Sequence, residues 1–474
     1  MKNWKMYING EWIELDNKKE VINPAINQAF ATVPNGGTKE AEQAADAAYE
    51  AFKLWSKKTA GERAAYLNKW FQLIEDQKEE IGQIMTEEQG KPLNEAIGEV
   101  NYANSFISWY AEEGKRIYGE TIPSSDPRKR IIVQKQPVGV MAAITPWNFP
   151  AAMITRKVAP ALAAGCTAVI KPAMQTPLTA IRLVELAEEA GIPKGVINLV
   201  TGSAKEIGDA WMQDSRVRKI SFTGSTEVGK MLMRGAAETV KKVSFELGGH
   251  APFIVTANAN IEKAVKGLVA SKYRNAGQTC VCANRVYVHE SVEAEFVEAF
   301  TKEVGTFKIG NGLDEGVHIG PLIDEHAVSK VLSQLDDAKQ KGANVAVGGK
   351  ALEDKDGFFV EPTVLTGVTD DMLCMYEETF GPIAPITTFK TTEEVIERAN
   401  NTPFGLAAYV FSDNLTEAIE ISEGLEYGIV GLNDGLPSVA QAPFGGFKES
   451  GLGREGGHYG IEEYLEIKYI SLGF

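Results

Sequence analysis

The run Asn275-Ala276-Gly277-Gln278-Thr279-Cys280-Val281-Cys282 sets a cysteine in a polar, glycine-containing loop. A thiolate there is a strong nucleophile, and an aldehyde carbon is a natural target for it. The competing reading is a small inert core residue, the commoner fate of a lone cysteine. Gly277-Gln278-Thr279 argues against it, because a polar loop does not look like core. Cys-x-Cys is not a standard zinc spacing and no histidine lies within six residues, so no metal is expected. Glu246 precedes Gly248-Gly249. A carboxylate can take a proton from water when its pKa lies near the working pH, and the glycines permit a tight turn. The alternative for Glu246 is a solvated acid at a strand end. Asn148, between Trp147 and Phe149-Pro150, can donate its amide to an oxyanion or cap a helix. Gly224-Ser225-Thr226-Glu227-Val228-Gly229-Lys230 nearly spells a phosphate loop, but Met231 stands where a hydroxyl would bind magnesium. The better reading is a strand-to-helix turn whose amides face a pyrophosphate.

These residues need a frame to converge. Residues 1–118 read as mainly helical after a short strand, with apolar spacings of three and four in Thr38–Trp55 and Gly61–Gln89. From Val138 short apolar runs alternate with helix-length segments. The runs are Val138–Ile144, Cys166–Ile170, Val196–Val200, Lys219–Phe222 and Val243–Phe245; Ala151–Ala164, Thr179–Ala190, Lys205–Gln213 and Thr226–Ala237 lie between them. Continuous apolar strands imply burial on both faces, hence a parallel, doubly wound sheet. A second α/β run follows: strands at Pro252–Val255, Arg285–Val288, Pro385–Phe389, Ala407–Phe411 and Ile429–Leu432, helices at Ile261–Arg274 and Val292–Val304. Gly248-Gly249 marks the expected boundary. Arg130–Gln136 and Tyr464–Ser471 read as isolated polar-edged strands that need partners, and another subunit is one source.

Composition narrows the class. Forty-eight basic against 64 acidic residues give a net charge of −16 in 474 residues. That surface disfavours nucleic acid or an anionic membrane as partner. Four cysteines make no disulfide framework. The N-terminal stretch lacks a signal-peptide core. The most apolar region, Val138–Val169, is broken by Pro146, Pro150, Pro160 and Arg156-Lys157, so it is no simple membrane span. A reducing cytoplasm is the expected location.

The cysteine loop resembles that of the aldehyde dehydrogenase superfamily. So do Thr145-Pro146-Trp147-Asn148-Phe149-Pro150, Phe222-Thr223-Gly224-Ser225-Thr226, Glu246-Leu247-Gly248-Gly249, Glu377-Glu378-Thr379-Phe380-Gly381-Pro382 and Pro443-Phe444-Gly445-Gly446. The motifs run in family order along nearly the whole chain. The resemblance implies an α/β fold with a Rossmann-type cofactor domain (1–118 and 138–247), a second α/β catalytic domain (248–443), a connecting segment (444–458) and a small β oligomerisation arm (119–137 and 459–474). It implies Cys280 as nucleophile, Glu246 as general base and Asn148 as oxyanion donor. Trp147, Lys171, Met174, Gly224, Ser225, Leu247, Glu378 and Phe380 would contact NAD or NADP. NAD-preferring relatives place an acid where Met174 stands, so NADP should be tolerated, with a slight lean toward it. The family forms dimers and tetramers, and a homotetramer is the expectation.

The segments Asn148–Arg156 and Lys272–Cys282 closely resemble succinate-semialdehyde dehydrogenases. By that resemblance Arg156, Arg274 and Ser438 hold the distal carboxylate of the aldehyde. Two guanidinium groups near a nucleophile also suit a carboxylate on chemical grounds; the alternative is structural salt bridges. The loop Gly435–Val439 departs from the best-known members, so glutarate semialdehyde or a broader range of aldehydes stays open, one methylene being worth only about 1–3 kcal/mol. Cys282 is either a packed small residue or, as features of some relatives imply, the partner of Cys280 in a reversible disulfide. The different-class alternatives are a cysteine esterase or hydrolase, which would not need a nucleotide sheet, and a non-catalytic binding protein, which would lack the nucleophile or base.

Overall fold

In the computed structural model, residues 1–352 and 355–474 are described. Its frame is two sheets that meet at Gly248-Gly249. The first has eight strands, in the order Gly451–Leu452, Lys242–Glu246, Val217–Thr223, Val140–Ile144, Thr167–Lys171, Ile197–Leu199, Met6–Ile8 and Glu11–Ile13. The five strands from Lys242–Glu246 to Ile197–Leu199 are parallel. Successive connections run one way from Val140–Ile144 through Thr167–Lys171, then the other way through Val217–Thr223. Val140–Ile144 is therefore the topological switch point, and its carboxyl end is where such sheets open a crevice for ligands.

The second sheet has seven strands, in the order Asn344–Val347, Thr363–Thr366, Ile383–Phe389, Ala283–His289, Ala251–Val255, Ala407–Phe411 and Ile429–Leu432. All its ladders are parallel except the outermost, Asn344–Val347 against Thr363–Thr366. The near-continuous burial of its central strands explains their unbroken apolar sequence.

Two expectations need correction. Five short strands precede the first helix, and three of them form a separate small sheet, Lys2–Asn3, Gln28–Pro34 and Lys18–Asn23. Strands of two to seven residues leave too short a pattern to read. The two isolated strands are not isolated: Lys129–Pro137 and Leu465–Gly473 pair with each other along nine residues, antiparallel, and Glu120–Ile122 adds a third strand. Their partners lie more than 300 residues apart, so neither pattern names the other. The expected connecting segment also supplies Gly451–Leu452 as the edge strand beside Lys242–Glu246, a pairing its sequence does not announce.

The helix Ala152–Ala164 is buried along its whole length, Arg156 and Lys157 included. No helix among the described residues is long and apolar enough to cross a membrane. The same residues contain no cluster of metal-ligating side chains.

Candidate active site

The cleft lies between the carboxyl ends of the first sheet and the amino ends of the second. Asn148 follows Val140–Ile144, Ser225 follows Val217–Thr223, and Glu246 ends Lys242–Glu246. Cys280 precedes Ala283–His289, and Glu378 precedes Ile383–Phe389. A cavity of about 420 Å³ is lined by Trp147, Asn148, Gly224, Ser225, Leu247, Cys280, Glu378 and Phe380, among others. Eight residues singled out from sequence thus share one wall.

Backbone approach ties the parts together. A Cβ at Gly249 would stand 2.2 Å from the Cys280 carbonyl oxygen, so only glycine lets the Glu246 turn lie against the nucleophile loop. The Gly249 N–H donates to Glu378 Oε1 at 2.9 Å. In the loop itself Asn275, Ala276 and Gly277 all have positive φ, at 52°, 54° and 78°. The Asn148 amide Nδ2 donates to the Gln278 carbonyl at 3.0 Å. One of its two N–H groups is thereby oriented, and the other remains available. Ser225 caps the helix Thr226–Ala237 by accepting from the Val228 N–H at 3.3 Å, which sets that helix's N-terminus on the cleft. The Trp147 and Phe380 rings meet edge-on with centroids 5.5 Å apart.

Electrostatics favour neutral resting groups. Burial pushes the Cys280 thiol up to about 12, with Arg156 opposing and Glu246 adding to the rise. Burial, then the Glu455 charge, lifts Glu246 well above the usual carboxylate range, and Arg156 and Lys157 offset this in part. Glu246 Oε2 has no hydrogen-bond partner. Burial raises Glu378 to about 7 against the Gly249 N–H. Glu455 stays ionised: burial opposes its charge, but Lys157 and Arg156 outweigh that.

Glu246, Lys171, Met174, Arg156, Arg274, Ser438 and Cys282 do not line that cavity, although the Arg156 charge reaches Cys280. Arg156 is buried, with Nη2 2.7 Å from Glu455 Oε2 and its guanidinium 4.0 Å above the Phe444 ring. Its charge already has a counterion, though neither Nε nor Nη2 makes a hydrogen bond of good geometry. Arg274 is half-buried, its Nε also without a partner, in a separate cavity of about 290 Å³ that Glu95, His318 and Leu436 help to line. Ser438, two residues after Leu436, is half-buried. Lys171 turns its ammonium to the Pro172 carbonyl at 2.9 Å, and burial lowers it to about 8. Met174 accepts from the Gly202 N–H through its sulfur at 3.1 Å. Cys282 is fully buried, with its sulfur 3.3 Å from Lys272 Nζ. All four cysteines are free thiols.

Sequence reasoning missed three groups. Glu455 pairs with both Arg156 and Lys157, and Lys157 also donates to Thr223 Oγ1 at 2.6 Å. Two adjacent cations in an apolar helix signal a buried anion, though not where it lies in sequence. Asp324, His326 and Lys330 line the cleft from the start of the helix Glu325–Gln340, and Asp324 as N-cap was the available sign. Tyr102 has a buried hydroxyl without a partner and feels the charges of Arg156, Arg274 and Cys280.

The chain matches the aldehyde dehydrogenase family over residues 12–470. It is 56% identical over 468 residues to a glutarate-semialdehyde dehydrogenase of Pseudomonas putida, covering 98% of this chain and 97% of that protein. It is equally identical, over the same length and shares, to an NADP(+) succinate-semialdehyde dehydrogenase of Escherichia coli. The crystal structure of a succinate-semialdehyde dehydrogenase from Burkholderia pseudomallei superposes with a TM-score of 0.98 at 53% identity, covering 99% of this chain and 98% of that one. This protein is a member of the aldehyde dehydrogenase family, an oxidoreductase with an α/β fold.

The residues present fit the nicotinamide dinucleotide that the family uses. A glycine turn, a helix N-terminus, the Glu378 carboxylate and the Trp147–Phe380 aromatic pair line the same cavity as Cys280.

Proposed function

We propose that this enzyme oxidises an ω-carboxy aldehyde, succinate semialdehyde or its longer homologue glutarate semialdehyde, to the dicarboxylate with NAD(P)+. One observation carries the reading: the turn after Glu246 lies against the Cys280 backbone beside a cavity lined by a glycine turn, a helix N-terminus and Glu378. An esterase or hydrolase has no use for that cleft.

The Cys280 thiol adds to the aldehyde carbon, and its proton passes to the deprotonated fraction of Glu246. The oxyanion receives the free Asn148 amide hydrogen and the Cys280 N–H. The bound nicotinamide supplies the hydride acceptor. Glu246 then releases the thiol proton to solvent, takes one from the water that attacks the thioester, and passes it to the departing Cys280 sulfur, which frees the acid and restores the thiol. Burial that lifts Glu246 toward working pH is what such a base needs.

Arg274, with an unpartnered Nε, is the better of the two arginines for the distal carboxylate. Arg156 contributes less, because Glu455 meets its charge, although neither its Nε nor its Nη2 makes a hydrogen bond of good geometry. Ser438 and Tyr102 are the further hydroxyl donors for that end of the substrate. The absence of an acid at Met174 supports NADP as a cofactor. Residues 1–118 and 138–247 serve the nucleotide, 248–443 carry the nucleophile, and the strands Lys129–Pro137 and Leu465–Gly473 form an arm for assembly into a dimer or tetramer.

Cofactor reduction with matched aldehydes tests the reading. Wild type should have a higher kcat/KM for succinate semialdehyde than for butanal. Arg274→Ala should cut that preference about 10- to 100-fold, the worth of a charged hydrogen bond. An unchanged ratio would show that the carboxylate is held elsewhere.

A further inference from the structure

One short segment outside the cleft reaches both of its reactive loops. It leaves the helix Lys78–Gln89, turns at Gly90 and enters the helix Leu93–Glu113. Gly90 has φ 94°, and a Cβ there would lie 2.5 Å from Pro321 and 2.9 Å from Pro24, so packing pins the turn. Lys91 Nζ donates to the Asn148 carbonyl at 2.8 Å and stands 4.2 Å from the Phe149 ring centroid. Glu99 is its buried counterion and accepts from the N–H groups of Ala151 at 2.9 Å and Ala152 at 3.2 Å.

The same segment grips the nucleophile loop. Glu95 Oε2 accepts from the Asn275 N–H at 2.7 Å. Gln89 Nε2 donates to Asn275 Oδ1 at 2.8 Å, and Gln89 Oε1 accepts from the Lys91 N–H at 3.0 Å. Asn275 closes the circuit, donating its amide to the same Asn148 carbonyl at 3.0 Å. Asn275 and Ala276 are non-glycine residues in the left-handed region, a conformation that persists only where surroundings hold it.

We propose that Gln89, Lys91 and Glu95 are positioning residues that hold the Asn148 amide in register with the Cys280 sulfur. This rests on Cys280 and Asn148 being nucleophile and oxyanion donor. None of the three touches the reacting atoms. Glu95 keeps the left-handed turn before Cys280, Lys91 keeps the Asn148 backbone, and Gln89 joins the two. An oxyanion donor acts only when aimed at the developing charge, and a misplacement of about 1 Å can cost about 100-fold in rate.

Butanal is the substrate for the test, because its turnover does not need a carboxylate pocket. Glu95→Ala should lower kcat about 10- to 100-fold. KM for butanal and the dinucleotide Kd, read by fluorescence quenching, should stay within about twofold, because Glu95 lines only the Arg274 cavity, whose carboxylate site neither ligand needs. Glu95→Gln keeps an acceptor oxygen and should recover most of the lost kcat. The double variant Lys91→Met/Glu99→Leu removes both charges together, leaves no buried ion unpaired and should still be slow. The proposal is overturned if Glu95→Ala turns over like wild type, if the Ala and Gln variants are equally slow, or if dinucleotide binding falls in step with kcat. Cys280→Ser with undiminished turnover would overturn the site itself. An inactive Cys280→Ser beside a fully active Glu95→Ala would sink the positioning role alone.

Discussion

Arg156 and Glu455 form a buried ion pair, Nη2 to Oε2 at 2.7 Å, behind the cleft that holds Cys280. Burial and this pair together set how Glu246 titrates. Burial lifts Glu246 first, the Glu455 charge lifts it further, and Arg156 and Lys157 pull it back. Glu455→Gln removes the repulsion and leaves both cations unopposed, so Glu246 should lose its proton at lower pH. The acid limb of the kcat profile should move to lower pH. Removing one partner of a buried pair also costs about 3–5 kcal/mol of stability, so thermal unfolding should begin earlier. An acid limb that stays in place would show that another group governs it.

A resting thiol is the second consequence. With Cys280 pushed up to about 12 by burial, the enzyme without cofactor holds little thiolate at neutral pH. Alkylation by iodoacetamide should accelerate about tenfold per pH unit from pH 6 to 9, in proportion to the thiolate fraction. A rate that levels off below pH 8 would mean the sulfur is activated before substrate arrives.

Helices and strands with strong local periodicity were legible. Thr38–Trp55 and Thr226–Ala237 begin and end as their patterns predict, as do the strands Ala407–Phe411 and Ile429–Leu432. Buried parallel strands announce themselves because both faces are apolar. What stayed hidden depends on distant pairing. Nothing in the pattern of Lys129–Pro137 says that Leu465–Gly473 will lie beside it; only the family resemblance put both in one arm. Arg156 shows the same limit at the site. Its spacing from Asn148 suggested a carboxylate ligand, and only the fold reveals that Glu455, some 300 residues on, takes up that charge. Lys171 and Met174 end in contacts with Pro172 and Gly202 that no spacing foretells. Gln89, Lys91 and Glu95 read as ordinary polar residues near helix ends, because their function lies in what they touch.

His250, directly after the Gly248-Gly249 turn, makes a prediction about stability at low pH. It is 1% exposed, and neither ring nitrogen makes a hydrogen bond of good geometry. Burial first, then Arg285, Lys272 and Lys330, holds its pKa well below 6.5, opposed only by the Met375 backbone. The folded chain therefore keeps the imidazole neutral where the unfolded chain protonates it. Stability from this group is fully present above about pH 6.5 and is lost as pH falls below it. One extra proton taken up on unfolding corresponds to about 1.4 kcal/mol per pH unit. His250→Leu removes the titrating ring and two poorly satisfied nitrogens. Thermal stability followed from pH 7 to 5 should fall less steeply in that variant than in wild type. Parallel curves would place the acid sensitivity in other groups, but not in the buried carboxyls Glu88 and Glu246, whose raised pKa makes the folded state gain stability as pH falls.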